Sequence, residues 1–240
     1  MTRRRPDPDT GAAPPADPAR AYARRLAAAS IADGDDTGWF ETLYAAAERG
    51  DVTVPWADLT PNPHLVSELA GSTGDGRALV IGCGLGDDAE HVASHGFTTV
   101  AFDVSPTAVA AARRRFPDST VEYVTADLRS PPLPWAAAFD LVVEAYTLQV
   151  LTGDARRTGI ARTADLVAPG GRLLLVAGAR DEHDDPGMMP WPLTRRELES
   201  FGDHGLVTDS IADVVDDEDG RQVRRWRAWF SRPPLRERLP

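Results

Sequence analysis

The residues best suited to chemistry lie in one short run, Gly82-Cys83-Gly84-Leu85-Gly86, which follows the apolar stretch 78–81 without a break. Glycines let a backbone turn sharply and let a ligand approach the main chain closely. The following residues favour a helix over 88–95. A helix starting there aims its free N–H groups and positive dipole end at the loop. A second polar group falls at a telling distance: the next apolar run ends at Asp103, 17 residues past Gly86. A carboxylate at that strand end can accept hydrogen bonds from both hydroxyls of a ribose. A third run ends in Ala126-Asp127-Leu128, where Asp127 can reach an adenine amino group.

Spacing within the loop narrows the cofactor. The dinucleotide fingerprint is G-x-G-x-x-G, and its last glycine would fall where Asp87 stands. Asp87 and Asp88 together would repel a pyrophosphate lying over the helix start. They tolerate a cofactor that has no phosphate and carries a sulfonium cation, which describes S-adenosyl-L-methionine (SAM).

The elements that must position these residues are legible in the middle of the chain. Strand-like runs fall at 78–82, 98–104, 121–127, 139–146 and 172–178, with helical patterns at 88–95, 106–116 and 154–166. Strands alternating with helices predict βαβ units and a parallel sheet. The runs are almost continuously apolar, as in strands covered on both faces. Ser105 is placed to cap the helix opening at Pro106, and Pro169-Gly170-Gly171 to stop a helix before the next strand. Further on, 193–201 reads as a helix with a Thr194/Glu197 capping box. The stretches 206–215 and 221–230 read as two strands joined by a solvated acidic turn, 216–220, which makes them antiparallel. The expected fold is α/β, Rossmann-like and doubly wound, with a mostly parallel seven-stranded sheet and an antiparallel C-terminal strand. Helices at 21–29, 39–48 and 64–69 precede it. The expected organisation is a disordered tail over 1–18, an N-terminal helical cap over 19–70, and a SAM-binding core over 71–240.

In its matching segments, VIGCGLG, VAFDVSPTAVAAARRRF, VTADL, FDLVVEAYTLQVL and LVAPGGRLLLV, the chain resembles class I SAM-dependent methyltransferases over about residues 64–231. The resemblance implies that Gly82, Cys83, Gly84 and Gly86 lie against the methionine and ribose part of the cofactor. It implies ribose binding at Asp103, with Val104 beside it, and adenine binding at Asp127 with Ala126 and Leu128. Glu144, ending the fourth strand, would face cofactor and substrate. Many members carry an acidic residue where this chain has Val80, so another group must hold the methionine ammonium. The stretch GDVTVPWADLTPNPHL and the later DPGMMPWPLTRREL resemble thiopurine methyltransferase-like and tellurite-resistance-type methyltransferases. In that subgroup an aromatic N-terminal segment folds over the cofactor, which points to Trp39 and Trp56.

Composition bounds the partners. A net charge of −11 argues against a nucleic-acid partner. No apolar run reaches the length of a membrane helix, and the first twenty residues lack the apolar core of a secretory signal, so a cytoplasmic location is expected. All 26 basic residues are arginine, which removes lysine chemistry. The single Cys83 excludes an intramolecular disulfide and reads as a small packing residue. His91 and His95 have zinc-like spacing but no third ligand, so no metal is expected. Glu144 is open to three readings: base, cofactor contact or strand-end charge. Tyr146 sits where α/β ligand sites lie, and Arg180, past the fifth strand, could hold an acidic substrate. For a hydroxyl or amine acceptor, Glu144, Tyr146 and Arg180 are the catalytic candidates. Trp191-Pro192 could wall an acceptor pocket, whereas the arginines at 221, 224, 225 and 227 read as an exposed strand face. The expected activity is methyl transfer from SAM to a small-molecule nucleophile, a thiol or other soft acceptor, releasing S-adenosylhomocysteine. The alternatives are a non-catalytic SAM-binding regulatory protein and, behind it, an NAD-dependent oxidoreductase. A nucleic-acid methyltransferase lacks its expected motif after the fourth strand. Nothing in the sequence sets the oligomeric state.

Overall fold

A computed structural model describes residues 17–218 and 220–235. Most of the tail expected over 1–18 therefore lies outside the described residues. Seven strands form one sheet: β1 (Arg77–Ile81), β2 (Thr98–Asp103), β3 (Glu122–Thr125), β4 (Phe139–Ala145), β5 (Val167–Gly178), β6 (Val207–Glu218) and β7 (Arg221–Ser231). Their order is β3-β2-β1-β4-β5-β7-β6. β1 to β5 pair in parallel, and β7 runs antiparallel to both β5 and β6. The doubly wound, mostly parallel architecture expected from the sequence is present.

Apolar strands are buried on both faces. On one side α3 (Pro63–Leu69), α4 (Asp87–Ser94) and α5 (Pro106–Arg115) pack Leu65, Val92 and Val109 against Val80, Ala101 and Val143. On the other, α6 (Gly153–Leu166) and α7 (Arg195–Glu199) pack Ile160, Ala164 and Leu198 against Leu79, Val142 and Leu175. The chain runs outward from β1 to β3 and then returns to β4 on the opposite side. The crevice between β1 and β4 is thus the topological switch point, where ligands of open α/β sheets bind. Two N-terminal helices, α1 (Pro18–Ala32) and α2 (Gly38–Glu48), form a third cluster with Met189, Val150 and Trp191.

The local signals act as their chemistry dictates. Ser105 Oγ accepts the Ala108 amide at 3.0 Å and Pro106 opens α5. Thr194 and Glu197 make the reciprocal capping box. Three boundaries differ from expectation. Pro169-Gly170-Gly171 does not stop the helix; α6 ends at Leu166, and the glycine segment forms an irregular start of β5, with Gly170 at φ +82°. α7 is only five residues and continues as a 3-10 turn over Ser200–His204. β6 runs on to Glu218, because cross-strand pairing with β7 continues to Glu218↔Arg221. The acidic run is therefore mostly strand rather than turn.

Candidate functional site

The loop after β1 turns on its glycines: φ is +62° at Gly82, +50° at Gly84 and +98° at Gly86. Their missing side chains are also a packing requirement. A Cβ on Gly84 would lie 2.9 Å from the Tyr44 hydroxyl, one on Gly86 would lie 2.6 Å from the Tyr123 hydroxyl, and one on Gly82 would meet Thr147. Cys83 donates its amide to the Phe102 carbonyl at 2.8 Å, tying the loop to β2. Its thiol is buried and pushed well above the ordinary range by that burial, which fits a packing role.

Asp103 ends β2 directly beside this loop. Its Oδ2 accepts the Gly84 amide at 3.0 Å and its Oδ1 accepts the Ser105 amide at 2.9 Å. The carboxyl is 6% exposed, and burial raises its pKa to about 6. A carboxylate oxygen has more acceptor capacity than one amide uses, so lone pairs remain for the hydroxyls of a ligand. Asp88, at the start of α4, accepts the Asn62 amide at 2.7 Å and is likewise raised by burial to about 6. Asp87 is neutralised by a two-pronged ion pair with Arg115, at 2.7 and 2.9 Å.

Asp127 has a partner the sequence reading did not foresee. Arg129 grips it with Nε and Nη2, and the Arg129 amide donates to it at 2.8 Å. Burial would raise the Asp127 pKa, but these bonds outweigh it and hold the carboxyl below its usual value. The same guanidinium reaches Asp36 at 3.2 Å and Thr37 Oγ1 at 3.0 Å, at the start of α2. Leu128 is buried beside Ala126 in the core behind Asp127.

Trp39 and Trp56, singled out from the sequence, meet in one aromatic cluster with Phe40 and Tyr44. Trp39 stacks on Phe40 with ring centroids 3.8 Å apart, and Trp56 stands edge-on to Trp39 at 5.9 Å. The Trp56 indole donates to the Tyr44 hydroxyl at 3.2 Å, and that hydroxyl is the group poised over Gly84. Glu41, one turn before, accepts from Ser105 Oγ at 2.6 Å, from the Thr107 amide at 3.1 Å and from Thr107 Oγ1 at 2.6 Å. Burial pushes the Glu41 pKa up, yet these three donors together hold it below the usual value. Tyr44 and Glu41 were missed from the sequence. The available signal was helical spacing, since Trp39, Phe40, Leu43 and Tyr44 share one side of α2.

At the end of β4, Glu144 is fully buried beneath a 3-10 turn over 148–150. Its Oε1 accepts the Thr147 and Leu148 amides at 2.7 and 2.8 Å, while Oε2 has no partner. Burial raises its pKa to about 7. Tyr146, two residues on, holds φ +64°, a left-handed conformation rare outside glycine. Its hydroxyl accepts a bond from Arg225 Nε at 3.0 Å. Arg180 stands apart from this group: Nε donates to the Pro192 carbonyl at 3.0 Å and Nη1 to the carbonyls of Asp181 and Asp184. It fastens the loop between β5 and α7. Trp191, in the same loop, packs with the N-terminal cap cluster. His91 and His95, both half-buried, stack edge-on at 4.6 Å at the end of α4, and His91 Nε2 is buried without a hydrogen-bond partner among the described residues.

Two sequence expectations about the hairpin are corrected. Asp216 is not a solvated turn residue; its Oδ2 lies 2.8 Å from His64 Nε2, because β6 extends past it and brings it against α3. Glu218 likewise pairs with Arg225. Arg225 is not on an exposed face, since the hairpin tip folds toward β4 and leaves its side chain 14% exposed.

Comparison with known proteins agrees with this geometry. A family model described as "Methyltransferase domain" matches residues 78–171, which span β1 to the start of β5. "Probable thiol methyltransferase 2" of Arabidopsis thaliana is 29% identical over 174 residues, covering 70% of this chain and 73% of the relative. The N-methyltransferase NodS of Bradyrhizobium japonicum, solved with S-adenosyl-L-homocysteine, superposes with a TM-score of 0.62 at 22% identity, covering 79% of this chain and 98% of its own. A TehB-like SAM-dependent methyltransferase from Corynebacterium glutamicum superposes at 0.58 with 20% identity, over 80% of this chain and 98% of its own.

Proposed function

We propose that the chain is a class I SAM-dependent methyltransferase whose acceptor is a small soft nucleophile, a thiol foremost. The observation that carries the proposal is the closure of the glycine loop and Asp103 under an aromatic cap, Trp39, Phe40, Tyr44 and Trp56. Met189 and Trp191 pack against the same cap from the loop after β5. Such a site favours a small, polarisable acceptor over a polymer. The name of the Arabidopsis relative supports the same choice of atom.

The cofactor supplies an electrophilic methyl group on a sulfonium. The chain's own residues bind, orient and exclude water. Asp103 accepts from the ribose, the glycine loop permits close approach of the main chain, and Asp127 stands at the adenine end. Val80 offers no charge to the methionine ammonium; of the two aspartates that open the following helix, Asp87 is paired with Arg115, which leaves Asp88 as the candidate. Placement of the nucleophile in line with the transferred methyl is the enzyme's main contribution. A thiol is partly ionised near neutral pH and needs no strong base; a hydroxyl or amine acceptor would instead call on Glu144 or Tyr146. In this reading residues 19–70 are the cap and 71–240 the catalytic core.

The test is an acceptor panel of thiols, iodide, tellurite and phenols, read by release of S-adenosylhomocysteine. Turnover with thiols above all others is the expected outcome. Turnover only with phenols would move the acceptor class, and none with any acceptor would favour a non-catalytic SAM-binding role.

A further inference from the structure

A relay of charged side chains from α3, β6 and β7 ends on a single hydroxyl at the switch point, that of Tyr146. Tyr146 receives Arg225 Nε at 3.0 Å, with the guanidinium carbon 5.4 Å from the ring centre. Arg225 is itself paired with Glu218 and stands 4.0 Å from Asp216. Asp216 is bonded at 2.8 Å to His64, which is 8% exposed. The chain of contacts therefore runs from α3 through the tip of the β6–β7 hairpin to the end of β4.

Two further facts give this convergence functional weight. Tyr146 is held at φ +64°, and backbone strain of this kind persists only where surrounding contacts over-determine it, commonly at functional sites. Arginine has donors only, so the phenol oxygen is the acceptor in that bond and its own hydrogen must go elsewhere. Among the described residues the hydroxyl's other hydrogen-bonding neighbour is the Asn62 side chain, and no hydrogen bond donated by the hydroxyl is formed within the protein. Burial raises the Tyr146 pKa, and Arg225 opposes that rise, so the phenol stays protonated with a directed O–H.

We propose that Arg225 is a positioning residue of the methyl-transfer site: it aims the Tyr146 hydroxyl into the crevice between β1 and β4, where that hydroxyl orients the methyl acceptor. The tip of the β6–β7 hairpin is then part of the active site. The proposal rests on the methyl-transfer reading for the acceptor's location, but its coupling can be read without turnover.

The experiment uses the full chain with Arg225→Met, Arg225→Lys, Tyr146→Phe and the Arg225→Met/Tyr146→Phe double variant, each checked by thermal melting. With SAM and thiophenol, Arg225→Met and Tyr146→Phe should each raise KM for thiophenol about tenfold. The double variant should be no worse than either single, and SAM affinity should stay within about twofold, as expected for groups acting as one unit. Arg225→Lys should restore part of the loss. Separately, the ¹³Cζ resonance of Tyr146, assigned by its loss in Tyr146→Phe, should shift in Arg225→Met. Additive losses, or an unchanged KM in Arg225→Met, would overturn the proposal. If thiophenol is not methylated by the native protein, the thiol reading fails while the resonance still decides: an unmoved Tyr146 signal overturns the proposal, and a moved one upholds the coupling.

Discussion

Cofactor affinity should depend on pH through Asp103, and the structure sets the size of the effect. In the proposed ribose contact the ionised carboxylate is the form that accepts from two hydroxyls, yet burial raises its pKa to about 6 before any ligand arrives. Protons then compete with the cofactor below that value. At pH 7 the penalty is negligible, and at pH 5 apparent Kd should weaken about tenfold, since one pKa unit corresponds to a factor of ten. Asp103→Asn removes both the charge and the competition. Its Kd at pH 7 should be about 10- to 100-fold weaker, from the loss of hydrogen bonds worth about 1.5–3 kcal/mol to a charged group, and nearly flat from pH 7 to 5. Calorimetric titration with S-adenosylhomocysteine at the two pH values measures both. A native Kd unchanged at pH 5, or an Asp103→Asn variant that binds as tightly as the native chain, would refute the reasoning.

Folding stability should move in the opposite sense. An aspartate raised to about 6 in the folded state, against an ordinary value of 3.8, stabilises fully below 3.8 and loses that contribution as pH rises through 6. Asp88 and Glu144 are raised as well, so the ligand-free Tm should rise by several degrees between pH 7 and 5.5; a fall would contradict the assignment. Gly86→Ala places a Cβ 2.6 Å from the Tyr123 hydroxyl at φ +98°, and a cost of about 1–3 kcal/mol should lower Tm by roughly 2–12 °C in differential scanning calorimetry. Glu41→Ala unfastens α2 from the start of α5 and should speed amide hydrogen exchange across residues 38–48, leaving β1 and β4 protected. Native Cys83 should resist a disulfide-exchange reagent and react only after denaturation, because its thiol is buried and its pKa raised.

The core of the fold was legible because its signals are local. Continuous apolar strands, Ser105 before Pro106, and glycines at 82, 84 and 86 each carry their structural reason within a few residues. The cofactor followed from the same locality, since Asp103 and Asp127 sit at strand ends that the pattern itself locates. What escaped the sequence was long-range pairing. Arg129 could not be seen to join Asp127 to Asp36, nor Glu41 to join Ser105 and Thr107, because such partners are set by how α2 docks on the sheet. Asp216 and Arg225 were assigned to solvent for the same reason: alternation identifies a strand, but not where a hairpin tip folds back over its neighbours. Arg180 shows the converse, since a cation near a strand end bonds the backbone carbonyls of its own loop and stands 4.0 Å from Glu197.

The proposed transfer of a methyl group from SAM to a thiol under the aromatic cap can be followed by isotope. It is tested most directly by incubating the protein with SAM labelled with ¹³C in its methyl group and thiophenol, then quantifying products by mass spectrometry. The account predicts labelled methyl phenyl sulfide and S-adenosylhomocysteine in equal amounts, both abolished by Asp103→Ala at low cofactor concentration. S-adenosylhomocysteine without labelled sulfide, or SAM recovered intact despite measurable binding, would contradict it.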